Sequence, residues 1–191
     1  MNFNFNVSEL IFVMPELFLL AAISCILLFD LYVKEELKKF TYHLSQLALL
    51  ITGLLAFNLI GESATIFSGT FVLDTLGSTF KVFIAGFSII ALVYSRHYLS
   101  VHGLLRNEYF ILALMSILGM LVMVSGHSLL TLYLGLEIMS LSLYALIATA
   151  RDRAFAIEAA LKYFVLGAIA SGLLLYGMSM IYGITGNLDI A

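Results

Sequence analysis

The chain has 191 residues, 62% hydrophobic and 11% charged, with a net charge of -3 and a mean hydropathy of +1.08. Soluble domains are about 45–50% apolar and about 25% charged. The composition therefore argues against a soluble enzyme, a nucleic-acid binder and a disordered segment. Stretches of roughly 20 apolar residues cross a bilayer, and the chain reads as an all-α polytopic transmembrane helix bundle, a single membrane domain over 1–191 that partners with lipid and not with nucleic acid.

In chain order the apolar runs fall at Leu10–Tyr32, Tyr42–Ile60, Phe71–Ser95, Tyr109–Val124, Ser128–Ala150 and Phe155–Tyr182. In hydrocarbon every backbone polar group must be paired within the protein, so the six runs are expected as helices. The first run is too long, and lacks the basic leader, for a cleavable signal peptide. Pro15, the single proline, falls in the first turns of span one, where a missing N–H costs little. The Ser125–His127 link is so short that spans four and five are expected to form a tight antiparallel hairpin.

The loop cations are one-sided. Lys34, Lys38 and Lys39 follow span one, Arg96 and Arg106 span three, and Arg151 and Arg153 span five; the alternate loops and both tails carry no Lys or Arg. The positive-inside rule places the charged side in the cytoplasm or a matrix equivalent, with both termini outside.

Two cations, Lys81 and Lys162, remain inside apolar runs, and Glu137 lies well inside span five. Lys81 is about ten residues into span three, or roughly 15 Å along a helix, and Lys162 is roughly 14 Å from the cytoplasmic edge. Intramembrane charges cost at least about 2.5–3.5 kcal/mol each and mark ion or proton pathways, or pair with one another. Glu137 and Lys162 are expected at similar depth on neighbouring antiparallel helices, within direct or water-bridged reach. Their bland reading is a structural clamp, and for Lys81 it is a stem that snorkels to water. Glu158 lies four residues before Lys162 on the same helix face, where it could pass a proton inward from the cytoplasmic edge. Asp74 reads as an interface marker at the outer end of span three. Gly167, Ala168, Ser171 and Gly172 suggest a close helix contact on span six. His43, His97, His102 and His127 have no companions at ligand spacing, so no metal site is expected. Cys25 is a lone cysteine, and the chain itself is expected to carry no redox centre.

At these residues a resemblance emerges. Leu132-Tyr-Leu-Gly-Leu-Glu-Ile-Met-Ser-Leu-Ser-Leu-Tyr-Ala-Leu146 resembles the fifth span of the antiporter-like membrane subunits of respiratory NADH:quinone oxidoreductase (complex I), of the subunit N type. Glu158-Ala-Ala-Leu-Lys-Tyr-Phe164, with the small-residue run and Ile181-Tyr-Gly-Ile-Thr-Gly-Asn-Leu188, is similar to the sixth. Pro15-Glu-Leu-Phe-Leu19 with Asp30, and Asp74 with Lys81, are similar to the first and third. The resemblance implies the first six of about fourteen spans, which in the family hold two inverted repeats. It implies that Glu137 and Lys162 match the glutamate and lysine of a proton-translocating unit, with Lys81 and Glu158 as possible path residues. It implies other complex I membrane subunits as partners, with NADH, FMN, iron–sulfur clusters and quinone held by partner subunits and none here. The expected location is a bacterial inner membrane, or alternatively a mitochondrial inner membrane. A cation/proton antiporter subunit and a non-catalytic membrane scaffold are the competing readings.

Overall fold

The computed structural model describes residues 7–32 and 39–190. Lys34 and Lys38, two of the loop cations, lie outside the described residues. A 3-10 turn, Val7–Val13, leads into α1 (Met14–Tyr32). Then follow α2 (Lys39–Asn58), β1 (Ala64–Ile66), β2 (Phe71–Leu73), α3 (Thr75–Val101), α4 (Asn107–Ser125), α5 (Leu129–Ala148) and α6 (Ala154–Thr185). Six helices among the described residues are long and apolar enough to cross a membrane.

The helices alternate in direction, and side-chain contacts tie their ends together. At one end Asp30 Oδ1 accepts from Thr41 Oγ1 at 2.9 Å and from Asn107 Nδ2 at 2.7 Å. Arg106 pairs with Asp152 and Arg151 with Glu108 at the same end. At the opposite end Phe71 bridges Gly126, and Ser128 bridges Asp189. All the described loop cations therefore gather at one end of the bundle.

Helix starts follow local chemistry. Asp74 is extended and its Oδ1 accepts from Gly77 N at 2.7 Å, capping α3. Ser128 caps α5 by accepting from Thr131 N at 3.1 Å. Such caps satisfy backbone donors that a helix leaves orphaned at its start. At the far end of α6, Gly186 takes φ 66°, a left-handed geometry that suits glycine. Hydroxyls within the helices turn back on the preceding turn: Ser45 donates to Thr41 O, and Thr52 to Ala48 O, each at 2.8 Å. Both hydroxyls are buried, and these bonds satisfy them within their own helix.

The third apolar run differs from its expected start. Phe71–Leu73 is a strand paired antiparallel with Ala64–Ile66, in the register Ala64–Leu73, Thr65–Val72, Ile66–Phe71. The helix begins only at Thr75 because Asp74 caps it there. The hairpin packs over the outer ends of the helices, with Ile66 and Phe71 buried beside Val13.

The main core is built around α4. Phe110, Ile111, Leu114, Ile117, Leu118 and Leu121 from that helix meet Leu19, Ile23 and Ile26 of α1, Ala48 and Leu49 of α2, and Leu92 of α3. α5 lies against the other side of α4 at close backbone range. A Cβ built on Gly119 would stand 2.6 Å from Gly135 O, and one on Gly135 would stand 2.9 Å from Gly119 O. Only glycine admits that approach, and it completes the tight hairpin expected from the short link. α6 packs chiefly on α5 and is otherwise largely exposed, with Ala160 and Ser171 its buried residues.

Candidate functional site: a buried ion pair, a half-buried carboxylate and an open helix face

Glu137 projects from the middle of α5, eight residues after Leu129 and eleven before Ala148. It is half-buried, and its Oε2 accepts from Ser171 Oγ of α6 at 3.1 Å. The chain's turn at Thr149–Arg153 brings α6 back alongside α5, and the contact is keyed by Tyr144. Its ring stands edge-on to Tyr163 at 4.7 Å and to Phe164 at 5.8 Å. A Cβ on Gly167 would overlap the Tyr144 hydroxyl. Two turns farther along each helix, Glu137 and Ser171 meet. Of the small residues of span six, Gly167 and Ser171 thus face α5, while Ala168 is exposed and a Cβ on Gly172 would meet open space.

The expected approach of Glu137 to Lys162 is not formed, and helix geometry gives the reason. Lys162 is nine residues before Ser171, which is roughly 14 Å along the axis and two and a half turns around it. It therefore sits toward the end of the bundle that carries the loop cations and points away from α5. There it pairs with Glu158 one turn earlier, with the two side chains 70% and 62% exposed. The spacing did predict the Glu158–Lys162 pair; it did not fix the direction in which the pair faces.

Lys81 is placed differently from expectation in both depth and surroundings. Because α3 starts at Thr75, it is six residues from the helix end, or roughly 9 Å rather than 15 Å. It does not snorkel: it is 1% exposed, and its Nζ lies 2.6 Å from Oε1 of Glu16 in α1. The contact is a buried ion pair. Ser125 at the end of α4 donates to the same Oε1 at 3.5 Å, and the Phe71 ring of β2 lies 5.1 Å from the ammonium. Glu16 is 5% exposed, and its Oε2 has no hydrogen-bond partner among the described residues. Three helices and the hairpin thus converge on one charge pair.

Glu16 was not among the sequence candidates, though a signal existed. It is the one acid in the interior of the first run. With alternating spans it enters from the same side as Lys81, six residues past Leu10, just as Lys81 is six past Thr75. Equal depth and opposite charge make them natural partners in a medium that penalises either charge alone.

Comparison with known proteins fits this architecture. Residues 126–191, which hold the α5/α6 site, match the family described as NADH:quinone oxidoreductase/Mrp antiporter, TM. The chain is 66% identical over 97% of its length to NADH-quinone oxidoreductase subunit N of Ruthia magnifica subsp. Calyptogena magnifica, and covers 39% of that protein. It is 50% identical over 93% of its length to subunit N of Alkalilimnicola ehrlichii, covering 37% of it. Among solved structures, a chain of respiratory complex I from Thermus thermophilus with bound aureothin superposes with a TM-score of 0.76 at 29% identity. That match covers 93% of this chain and 38% of the other. The chain spans about two-fifths of the length of the curated relatives it matches, and within those bounds it belongs to the subunit N family of NADH-quinone oxidoreductases.

Proposed function

We propose that the chain works in the proton-translocating membrane arm of an NADH:quinone oxidoreductase, with Glu137 as its proton-carrying group. The observation that supports this most is the setting of Glu137 in a chain 66% identical to subunit N. A mid-span carboxylate is held there by a hydroxyl rather than neutralised by a cation. A serine hydroxyl donates to a carboxylate and can equally accept from a carboxylic acid. The Glu137–Ser171 contact therefore survives protonation and deprotonation, as a carrier site requires, whereas a tight ion pair would resist the change.

In this reading the chain is a multi-pass protein of the bacterial inner membrane, assembled with other complex I membrane subunits. Its part is translocation, coupled to NADH oxidation and quinone reduction elsewhere. NADH, FMN, iron–sulfur clusters and quinone belong to those partners; a lone cysteine, Cys25, cannot supply the four thiolates of a typical cluster. Glu158 and Lys162 form the cytoplasmic-side element of the path. They face away from Glu137, so the connecting groups come from whatever packs on the open face of α6, water included. Glu16 and Lys81 are assigned to holding the outer ends of α1, α3 and α4 together.

The matched family description also covers Mrp antiporters, and an antiporter subunit would need no redox partner. Affinity purification of the tagged protein from its native membranes separates the two. NADH oxidation and quinone reduction co-purifying in constant ratio with the tag is the expected result. A purified assembly that exchanges cations for protons and oxidises no NADH would overturn the assignment.

A further inference from the structure

α1 and α5 both pack on α4 and leave a furrow between them at the charged end of the bundle, with a volume of about 660 Å³. Its walls are apolar, formed by Leu27 and Leu31 of α1, Ile111 of α4 and Ala148 of α5. Its mouth is polar, formed by Asp30, Glu108 and Arg151. The lining residues lie within the last or first one to two turns of α1, α4 and α5, or in the turn that follows α5. The furrow is therefore only roughly 6–8 Å long at 1.5 Å per residue, far short of what a transmembrane helix would fill. At roughly 30 Å³ per water-sized group, the volume holds about twenty such groups. That is enough for a phospholipid's headgroup, glycerol and first methylenes.

The mouth carries its own charge pair. Arg151 Nη2 donates to Glu108 Oε2 at 2.8 Å, with the side chains 65% and 49% exposed. A guanidinium has five N–H donors in a fork that suits a phosphate oxygen pair. The neighbouring carboxylates of Glu108 and Asp30 suit an ammonium and oppose a second negative charge.

We propose that this furrow is an interfacial binding site for a zwitterionic aminophospholipid. The phosphate lies on Arg151, the primary ammonium lies between Glu108 and Asp30, and the first methylenes run along Leu27, Leu31 and Ile111. A choline headgroup has no N–H to donate, and a glycerol headgroup leaves the phosphate charge unbalanced beside two carboxylates; both are expected to bind more weakly. The inference does not depend on proton translocation.

The test is native mass spectrometry of the full chain, extracted from its membranes with its bound partners, in competition between phosphatidylethanolamine and phosphatidylglycerol at equal concentration. The expected result is one retained phosphatidylethanolamine, favoured about tenfold over phosphatidylglycerol, which is the worth of one charge-assisted contact. Arg151→Gln, at an exposed position, should lower its retention about tenfold without affecting folding. Ala148→Phe should abolish retention by filling the furrow, with helicity by circular dichroism unchanged. Leu166→Phe on the open face of α6 should change neither. Absence of any retained lipid, equal retention of the two lipids, or wild-type retention by Arg151→Gln would each overturn the proposal.

Discussion

Replacing Lys81 with methionine keeps its length and removes its charge. It leaves Glu16, 5% exposed, with no cation at 2.6 Å and one oxygen already unpartnered. At an effective dielectric of about 20, the Coulomb attraction at that separation is about 6 kcal/mol, of which desolvation takes back a large part. Breaking a buried pair from one side typically costs about 3–5 kcal/mol, because it strands the other charge. Replacing both partners with apolar residues is often close to neutral. We therefore expect Lys81→Met and Glu16→Leu each to destabilise by about 3–5 kcal/mol, and the double variant to lose much less than either. Unfolding in mixed micelles, followed by circular dichroism across a full double-mutant cycle, gives the coupling energy directly. Additive losses in the double variant would refute the pairing argument, because the two side chains would then act independently. The same cycle separates clamp from carrier. A folded, assembled double variant that pumps normally fits the clamp assignment, and one that assembles but fails to pump contradicts it.

Other perturbations probe the remaining features. Gly119→Leu puts a branched side chain where even a Cβ would stand 2.6 Å from Gly135 O; overpacking of about 1–3 kcal/mol or more should follow, read as a lower midpoint in the same unfolding assay. Lys162→Arg retains the pair with Glu158 but cannot release a proton, so it should preserve assembly better than proton translocation, while Lys162→Met should impair translocation; full pumping by an assembled Lys162→Met enzyme would remove Lys162 from the path. In a Cys25→Ser background, a cysteine at Asp152 should label only from the cytoplasmic side and one at Asn187 only from the other, and the reverse pattern would invert the topology.

What the sequence made legible was set by one-dimensional signals. Six apolar runs, the Ser125–His127 turn and the one-sided loop cations needed only length and charge. The hairpin was hidden because Phe71-Val-Leu73 is as apolar as the span it precedes, and three-residue strands are too short to show alternation. Its signal is Asp74, a capping residue as well as a charge at the span's outer end. The partners of the intramembrane charges required azimuths, and those depend on which helix face meets which neighbour. Residues on α6 differ by 100° per position, so a depth match between Glu137 and Lys162 carried no information about facing. Beyond Lys162, α6 is apolar on nearly every face, and its contact face was set by the Tyr144–Gly167 fit, a size match between two helices. Glu16 escaped because an acid one turn into a span reads like an end-of-helix residue until Lys81 is placed opposite it.

The role we propose for Glu137 is to carry protons in an NADH:quinone oxidoreductase. It is tested most directly by proton translocation per NADH oxidised, in the assembled enzyme, for Glu137→Gln beside Glu137→Asp. Gln keeps the shape and the contact with Ser171 but cannot titrate, so the ratio of protons to electrons should fall while the complex still assembles; Asp keeps the chemistry with a shorter reach and should retain part of the ratio. An assembled Glu137→Gln enzyme that translocates protons at the wild-type ratio would contradict the account.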